Sequence, residues 1–167
     1  MGLTKSNSTV SVDTLYAINR SHLDSVKRYY FVPDPVKITI NGCPKSMTVK
    51  IPLHPSQDLG HRTYRVVNNE FYIPTQDAED LQSGVEYRLL HLLNFKHIAE
   101  KTQRVNKFAS EKSPDRVRVQ GFQWLSAGSK HFDTTIRMPD NTLVQGLAES
   151  EISKLKAGDI IQFERFG

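Results

Sequence analysis

Basic residues gather in one part of the chain, between Lys96 and Arg118. Seven lysines and arginines in this window stand against three acidic residues, and that excess of four equals the net charge of +4 of the whole chain. Arg116 and Arg118 on one face of a strand would form a row of cations suited to a phosphate backbone, and Lys107 is a third candidate phosphate contact. The alternative is a solvated basic face without a ligand. The charge distribution therefore indicates a candidate contact for a nucleic acid.

No arrangement of residues in the sequence is typical of a catalytic or metal site. The six histidines lack the His-Glu-x-x-His spacing, and no phosphate loop, dinucleotide fingerprint or nucleophile elbow occurs. The single cysteine, Cys43, excludes an intramolecular disulfide, and its Asn-Gly-Cys-Pro context predicts a surface thiol. His54, between Pro52 and Pro55, is interpreted as a rigid-turn residue. We expect neither a metal nor a cofactor in this chain.

The composition is that of a chain that folds. Its 167 residues are 38% hydrophobic and 24% charged, with 22 basic and 18 acidic residues, unlike a disordered chain. The longest apolar stretch, Leu89 to Phe95, is interrupted by His91 and Asn94 and is far shorter than the ~20 residues that cross a bilayer. The polar N-terminus lacks the apolar core of a secretory signal. We expect a cytoplasmic protein without a membrane-spanning segment.

Hydrophobic periodicity predicts one helix and then a series of strands. Apolar positions recur at helical spacing from Ser11 to Arg28. The period then changes to two, which is typical of strands with one buried face. Turn residues between these runs predict two hairpins, the first joining 36–40 to 47–51 and the second joining 64–67 to 71–73.

The second half of the chain continues the pattern of short strands. Thr75 is expected to cap a short helical turn. Segment 85–101 fits both a leucine-lined helix and an alternating strand. Further elements are predicted as strands at 116–120, 132–138 and 160–165 and a short helix near 149–155. Many short strands with few helices point to a barrel or a sandwich.

Four stretches occur together in an order that resembles one protein family. They are Arg28-Tyr-Tyr-Phe-Val-Pro-Asp-Pro-Val36; Ile51-Pro-Leu-His-Pro55 followed by Gly60-His-Arg62; Gln123-Trp-Leu-Ser-Ala127; and Gly146-Leu-Ala-Glu149 with Gly158-Asp-Ile-Ile-Gln-Phe-Glu-Arg-Phe-Gly167. Together they resemble the anticodon-binding region of the glutamyl- and glutaminyl-tRNA synthetases over residues 14 to 167. The first two stretches favour the archaeal-type glutamyl enzyme. The alternatives are the glutaminyl enzyme, a ribosomal-protein-like RNA-binding barrel and a protein-interaction module that binds no RNA.

The resemblance implies a mainly β fold of two tandem six-stranded antiparallel barrels, with an N-terminal helix and short connecting helices. Residues 1–27 would be a lead-in and a helix that links to an absent catalytic domain. Residues 28–88 and 140–167 would form the proximal barrel, and residues 89–139 the distal one. The resemblance also implies strand rather than helix for 85–101.

The resemblance further implies a C-terminal fragment of a class I glutamate–tRNA ligase. The catalytic domain of that family carries His-Ile-Gly-His and Lys-Met-Ser-Lys-Ser-like signatures for ATP, and neither occurs here. The chain is therefore expected to recognise the anticodon, while the parent enzyme uses ATP and Mg to attach glutamate to tRNA(Glu). The fragment itself needs no cofactor. tRNA(Gln) is an alternative partner, and neither a membrane nor an oligomer is implied.

Four anticodon-binding residues are implied by the same resemblance. Arg28, Gln162 and Arg165 match positions that contact the middle anticodon uridine in the glutaminyl enzyme, and Arg88 matches an arginine near the first base. Arginine offers a planar fork of donors, and glutamine offers donors and an acceptor to an unpaired base edge. Because Gln162 and Arg165 are three positions apart, a bulge or a strand end near Gly167 must bring them together.

Readers of the outer two anticodon bases are not carried over. Leu90 stands where the glutaminyl enzyme has a second arginine, and the insertion that reads the third base is shortened around 81–84. The aromatic run from Tyr29 to Phe31 is either a platform for base stacking or part of the core. Trp124 is expected in the core.

Overall fold

The computed structural model describes residues 12–44, 46–99, 104–110 and 119–166. These ranges are mainly β, with two helices, α1 (Val12–Leu23) and α2 (Thr75–Glu79), and a 3₁₀ turn at Ser150–Lys154. The strands are β1 (Arg28–Tyr29), β2 (Phe31–Pro33), β3 (Pro35–Asn41), β4 (Ser46–Pro52), β5 (His61–Val67), β6 (Glu70–Pro74), β7 (Glu86–Leu89), β8 (Leu93–Ala99), β9 (Arg104–Ser110), β10 (Gln120–Phe122), β11 (Leu125–Ser126), β12 (His131–Arg137), β13 (Leu143–Glu149) and β14 (Gln162–Phe163). Neither described helix combines the length and the apolar character that a bilayer crossing needs.

The largest sheet has seven strands in the order β10-β7-β8-β9-β3-β6-β11. β7, β8 and β9 pair antiparallel, with an irregularity between Asn94 and Phe95. β3 links this group to β6, because its first part pairs antiparallel with β6 and its end, Ile40 and Asn41, pairs parallel with β9. β10 also joins β7 in parallel. The sheet thus combines both pairing directions.

The predicted pair of closed antiparallel barrels is not what the described residues form. Besides the seven-stranded sheet they form three smaller open sheets, β12-β13-β2, β4-β5 and the parallel pair β1-β14. The fold is mainly β, as expected, but the barrel interpretation is corrected. Alternating hydrophobicity identifies strands and their buried face, whereas closure depends on tilt and register between strands that are distant in sequence.

The two predicted hairpins are corrected in the same way. β3 pairs with β6 and β9, whereas β4 pairs with β5, so segments 36–40 and 47–51 are not partners. The second turn does form, since Asn68 and Asn69 have φ angles of 67° and 53°. Its flanking strands β5 and β6 nevertheless pair with other strands. Local turn chemistry sets the turn, while burial of the strand faces selects the partners.

Several other elements agree with the predictions. Most of the described part of segment 85–101 is strand, as β7 and β8, which are joined by a turn at which His91 has a φ of 62°. The predicted strand 132–138 is β12, and 149–155 contains the 3₁₀ turn. The last strand is shorter than predicted, since β14 contains only Gln162–Phe163. Most of the strand predicted at 116–120 lies outside the described residues.

Aromatic residues dominate the core. Trp124 is 0% exposed and contacts the rings of Tyr30, Tyr64 and Phe71 at centroid distances of 6.2, 5.4 and 5.6 Å. Tyr29 to Phe31 are all buried, so they are core residues and not a platform for base stacking. Alternate strand positions face the core, and packing on the other face, such as that of Phe163 and Phe166 on Phe31, buries the remaining positions too.

The structure corrects the predicted environment of Cys43 and confirms that of His54. Cys43 is buried, which corrects the surface thiol, and burial raises the pKa of its thiol to about 11. His54 is a turn residue, as predicted. Its Nε2 lies 2.6 Å from the carbonyl oxygen of Asp24, and its Nδ1 accepts a 2.9 Å hydrogen bond from the amide of Gln57.

One apolar cluster extends across the boundary between the two predicted domains. It includes Ile73 from β6 and Phe95 from β8, whose strands belong to the same sheet. The division into 28–88 with 140–167 and 89–139 stays a prediction. The lead-in 1–11 lies outside the described residues.

Gly146 allows β13 to approach β2 closely. A Cβ at this position would overlap the carbonyl oxygen of Val32 and lie 2.7 and 2.8 Å from ring atoms of Phe31. Since Gly146 pairs with β2, the backbone oxygen cannot move without disturbing the sheet. We expect Gly146→Ala to destabilise the fold by about 1–3 kcal/mol in urea unfolding. Gly121→Ala is the control, because its Cβ would meet only the flexible Leu90 side chain, and an equal loss would contradict the prediction.

Candidate nucleic-acid interface

The parallel pair β1-β14 places two predicted base-contacting residues opposite each other. Arg28 is the register partner of Gln162, and Tyr29 is the partner of Phe163. The amide of Gln162 donates to the carbonyl of Lys27 at 3.1 Å, and the amide of Glu164 donates to Tyr29 at 3.0 Å. The two residues therefore meet although they are far apart in the sequence.

Both side chains retain unused hydrogen-bonding capacity. Nε of Arg28 and Oε1 of Gln162 are buried and have no hydrogen-bond partner among the residues that the structure describes. Nη2 of Arg28 lies 3.8 Å from an oxygen of the exposed Asp24, which leaves that ion pair weak. A buried donor and a buried acceptor without partners are costly in a protein alone. Both atoms are covered in this structure, so a ligand reaches them only after the side chains rotate; a nucleobase then offers both kinds of group on one edge.

Arg165 lies in a turn directly after β14. Its φ of 62° is unusual for a residue with a side chain, and the amide of Phe166 donates to Phe163 at 3.0 Å. The strand end expected near Gly167 is thus present. Phe163 and Phe166 pack on Phe31 at centroid distances of 5.2 and 4.9 Å and anchor the turn in the core.

The guanidinium of Arg165 is held beside α2 and β10. Its Nη1 donates to the carbonyl of Gly121 and lies 3.8 Å from Oδ2 of Asp77. Arg165 and Gln162 line neighbouring depressions that share Phe166. The structure therefore brings Arg28 and Gln162 together, while Arg165 occupies the adjoining depression.

A groove runs beside Gln162, between α1 and the end of β12. Its volume is about 460 Å³. Tyr16 and Arg20 of α1, Arg137 of β12, and Phe166 line it together with Gln162. Aromatic rings next to arginines suit an unpaired base and its phosphate. Neither Arg20 nor Arg137 was singled out from the sequence, because residues on an exposed helix face and at a strand end carry no distinguishing pattern.

Arg88 lies on β7, in a different sheet from the Arg28 and Gln162 pair. Its Nε donates to Oδ1 of Asn94 at 2.8 Å, and its buried Nη2 has no hydrogen-bond partner within the described ranges. Gly121 is the register partner of Arg88 and also accepts the hydrogen bond from Arg165. Arg88 is thus connected to Arg165 through a single residue of β10.

Of the three predicted phosphate contacts, only Lys107 lies within the described residues. It is exposed on β9, directly opposite the exposed Lys96 of β8. Like charges at opposed positions destabilise a sheet, and an anion would relieve their repulsion. Arg116 and Arg118 lie outside the described residues.

A buried ionic cluster lies beneath β1 and was not foreseen from the sequence. Nε of Arg62 lies 3.2 Å from Oε2 of Glu149, and their side chains are 1% and 0% exposed. Oε1 of Glu149 accepts a 2.6 Å hydrogen bond from the amide of Tyr30, and Oε2 accepts one from the hydroxyl of Tyr64. Burial raises the pKa of Glu149, against the opposing effect of Arg62. The available signal was parity, since Arg62 shares the inward face of β5 with Tyr64 and Val66.

Two family models match this chain. Both describe the anticodon-binding domain of class I tRNA synthetases for Glu and Gln, one over residues 26–111 and the other over 86–167. The chain belongs to this anticodon-binding domain family. The resemblance noted in the sequence is thereby confirmed, and the matched regions contain Arg28, Arg88, Gln162 and Arg165.

Individual relatives of this anticodon-binding domain are archaeal glutamate–tRNA ligases. The ligase of Pyrococcus abyssi is 35% identical over 173 residues, that of Methanocella arvoryzae 34% over 169, and that of Methanosphaera stadtmanae 30% over 175. The alignments cover 99–100% of this chain and 29–30% of each relative. The chain thus spans about 30% of the length of the curated relatives it matches.

Asp77 reports on the position of Arg165 in this domain. Burial raises the pKa of Asp77 above 3.8, and the Arg165 guanidinium opposes that rise. We expect Arg165→Ala to raise the pKa of Asp77 further, as measured by an NMR titration of its carboxyl group. Because the pKa of Asp77 is higher in the folded than in the unfolded protein, its protonation stabilises the fold. This contribution is complete below pH 3.8 and is lost as the pH rises through the raised pKa of the folded state. Arg165→Lys keeps the positive charge, and a rise of the same size in that variant would contradict the assignment.

Proposed function

We propose that this domain binds the anticodon loop of tRNA(Glu) on behalf of a glutamate–tRNA ligase. In this proposal the parent enzyme attaches glutamate to tRNA(Glu) and uses ATP with Mg. The observation that supports it most is the facing pair of Arg28 and Gln162, which keeps an unpaired donor and an unpaired acceptor within an anticodon-binding domain. The choice of glutamate as the amino acid rests on the relatives named as glutamate–tRNA ligases.

The three residues near β14 are proposed to recognise the middle anticodon uridine. A uridine presents two carbonyl acceptors and one N–H donor on its base edge. The donors of Arg28 match a carbonyl, and the free Oε1 of Gln162 matches the N–H. Arg165 approaches from the other side of Phe166, where its side chain is 42% exposed. Arg88 is proposed to lie near the first base.

The basic surface is proposed to hold the phosphate backbone. Lys107 would contact phosphates together with Arg116 and Arg118. Each phosphate contact releases counterions, so the affinity for RNA should fall as salt is raised, by a slope of about 0.7 per contact in a plot of log affinity against log salt.

The test measures whether the domain discriminates at the middle base. Fluorescence anisotropy is used to compare a hairpin carrying the glutamate anticodon loop with one in which the middle uridine is adenine. For the wild-type domain we expect the adenine hairpin to bind about 1–3 kcal/mol more weakly than the uridine hairpin. This difference should be smaller in the variants Arg28→Ala, Gln162→Ala and Arg165→Ala. Lys154→Ala is the control, because Lys154 is exposed and, in the part of the chain that the structure describes, forms an ion pair with Glu151 alone. Equal binding of the wild-type domain to both hairpins would refute base recognition and leave only the basic surface.

The same assay addresses the alternative partner tRNA(Gln). A third hairpin, changed only at the third anticodon base, measures whether the domain separates the two tRNAs. Equal affinity for that hairpin would extend the proposal to tRNA(Gln).

A further inference from the structure

The buried side chain of Arg62 connects the segments that carry the proposed base-contacting residues. Nη1 of Arg62 donates to the backbone carbonyl of Arg28. Its Nη2 forms no hydrogen bond within the described residues but lies 3.8 Å from Oε2 of Glu164, and because the Arg62 side chain is only 1% exposed, solvent screens this ion pair less than that of Arg28 with the exposed Asp24. Glu164 lies between Gln162 and Arg165 in the sequence. We propose that Arg62 is a positioning residue for base recognition, which holds Arg28 and the β14 turn at a fixed separation. This proposal rests on the proposed function.

The packing of Phe163 and Phe166 on Phe31 anchors the β14 turn, but the pair β1-β14 that joins it to Arg28 is short. Each strand has two residues, so only two register positions hold the strands together. Isolated two-stranded pairs of normal length are already marginally stable in water. Two further hydrogen bonds hold the backbone of Arg28. Its amide donates to the carbonyl of Leu53 at 2.7 Å, and its carbonyl accepts from Nη1 of Arg62.

Arg62 is itself held by a buried ion pair and a ring contact. Its Nε lies 3.2 Å from Oε2 of Glu149 on β13, and the Tyr30 ring lies 4.4 Å from the guanidinium carbon. Glu149 also binds the amide of Tyr30, two residues from Arg28. The planar fork of an arginine reaches Glu149, the Arg28 carbonyl and Glu164 at once, whereas a lysine ammonium acts as a single point charge.

A purely structural role predicts a different result from a positioning role. Replacing a buried ion pair by neutral groups of similar volume often leaves stability unchanged or higher. If Arg62 serves only the fold, such a replacement keeps base discrimination as well. If Arg62 positions Arg28 and the β14 turn, discrimination falls although the protein stays folded.

The test uses the double variant Arg62→Met/Glu149→Gln, which removes both buried charges and keeps an acceptor for the Tyr30 amide. Thermal unfolding monitors the fold, and anisotropy with the uridine and adenine hairpins gives the discrimination ratio. For the wild type we expect a ratio of about 5- to 150-fold, as for a typical mismatch. In the double variant the ratio should fall to less than about threefold while the melting transition is retained. The control Lys37→Met/Glu70→Gln removes an exposed ion pair and should keep the wild-type ratio.

Each outcome decides between the two proposals. A folded double variant with an unchanged ratio overturns the positioning role and leaves the proposed function intact. A wild-type domain that does not discriminate overturns both. If the double variant unfolds, Arg62→Lys replaces it, since this variant keeps the charge opposite Glu149 and loses only the fork. A folded Arg62→Lys protein with a wild-type ratio would then overturn the positioning role.

Discussion

Trp124→Ala is expected to lower the free energy of unfolding by about 3–5 kcal/mol. The side chain is fully buried among three aromatic rings, and its removal leaves a cavity that rigid neighbours cannot fill. It also removes the 2.9 Å hydrogen bond from Nε1 to the carbonyl of Leu90. Chemical denaturation measures the loss.

Trp124→Phe separates the cavity from the hydrogen bond. Phenylalanine keeps much of the ring volume, and the Leu90 carbonyl still accepts a 3.3 Å hydrogen bond from the hydroxyl of Tyr30. We therefore expect a clearly smaller loss than for alanine. Equal losses in the two variants would show that the hydrogen bond, and not the packing, dominates at this position.

Glu149→Ala is expected to destabilise the protein by about 3–5 kcal/mol, because it removes the fully buried carboxylate that compensates the charge of Arg62. The same change also frees the Tyr30 amide and the Tyr64 hydroxyl, which both donate to this carboxylate. Urea unfolding at neutral pH is the measurement.

Glu151→Ala is the matched control for Glu149→Ala, two positions along the chain. Nζ of the exposed Lys154 lies 2.6 Å from Oε2 of Glu151, and an exposed ion pair of this kind contributes about 1 kcal/mol or less to stability. A comparable loss in both variants would mean that the buried ion pair does not have the predicted weight.

Arg62 and Arg28 show that the burial of a charged residue does not follow from its local sequence. Arg28 was identified as a base-contacting candidate through the stretch Arg28–Val36, and Arg62 was quoted only as part of Gly60-His61-Arg62. The residue type indicates an exposed cation in both cases. Arg62 is buried because Glu149, distant in the sequence, supplies the opposite charge on β13. No local pattern carries that pairing.

The sequence by itself determined the family, the predominance of strands and the chemical types of the site residues. Local signals were sufficient for the turn at Asn68 and Asn69, where both residues adopt positive φ angles, and for the role of His54 in its turn. The family resemblance was needed to assign 85–101 to strand, because its periodicity fits two structures.

Only the tertiary structure decided which strands pair, which polar residues are buried, and that Arg28 lies opposite Gln162 while Arg165 lies beyond Phe166. Hydrophobic alternation specifies the buried face of each strand and leaves its partner open. Partners are selected by how all faces fit together in one core, and that choice is made by contacts between residues far apart in the chain. The open sheets, the pairing of β4 with β5 and the buried Arg62 all follow from it.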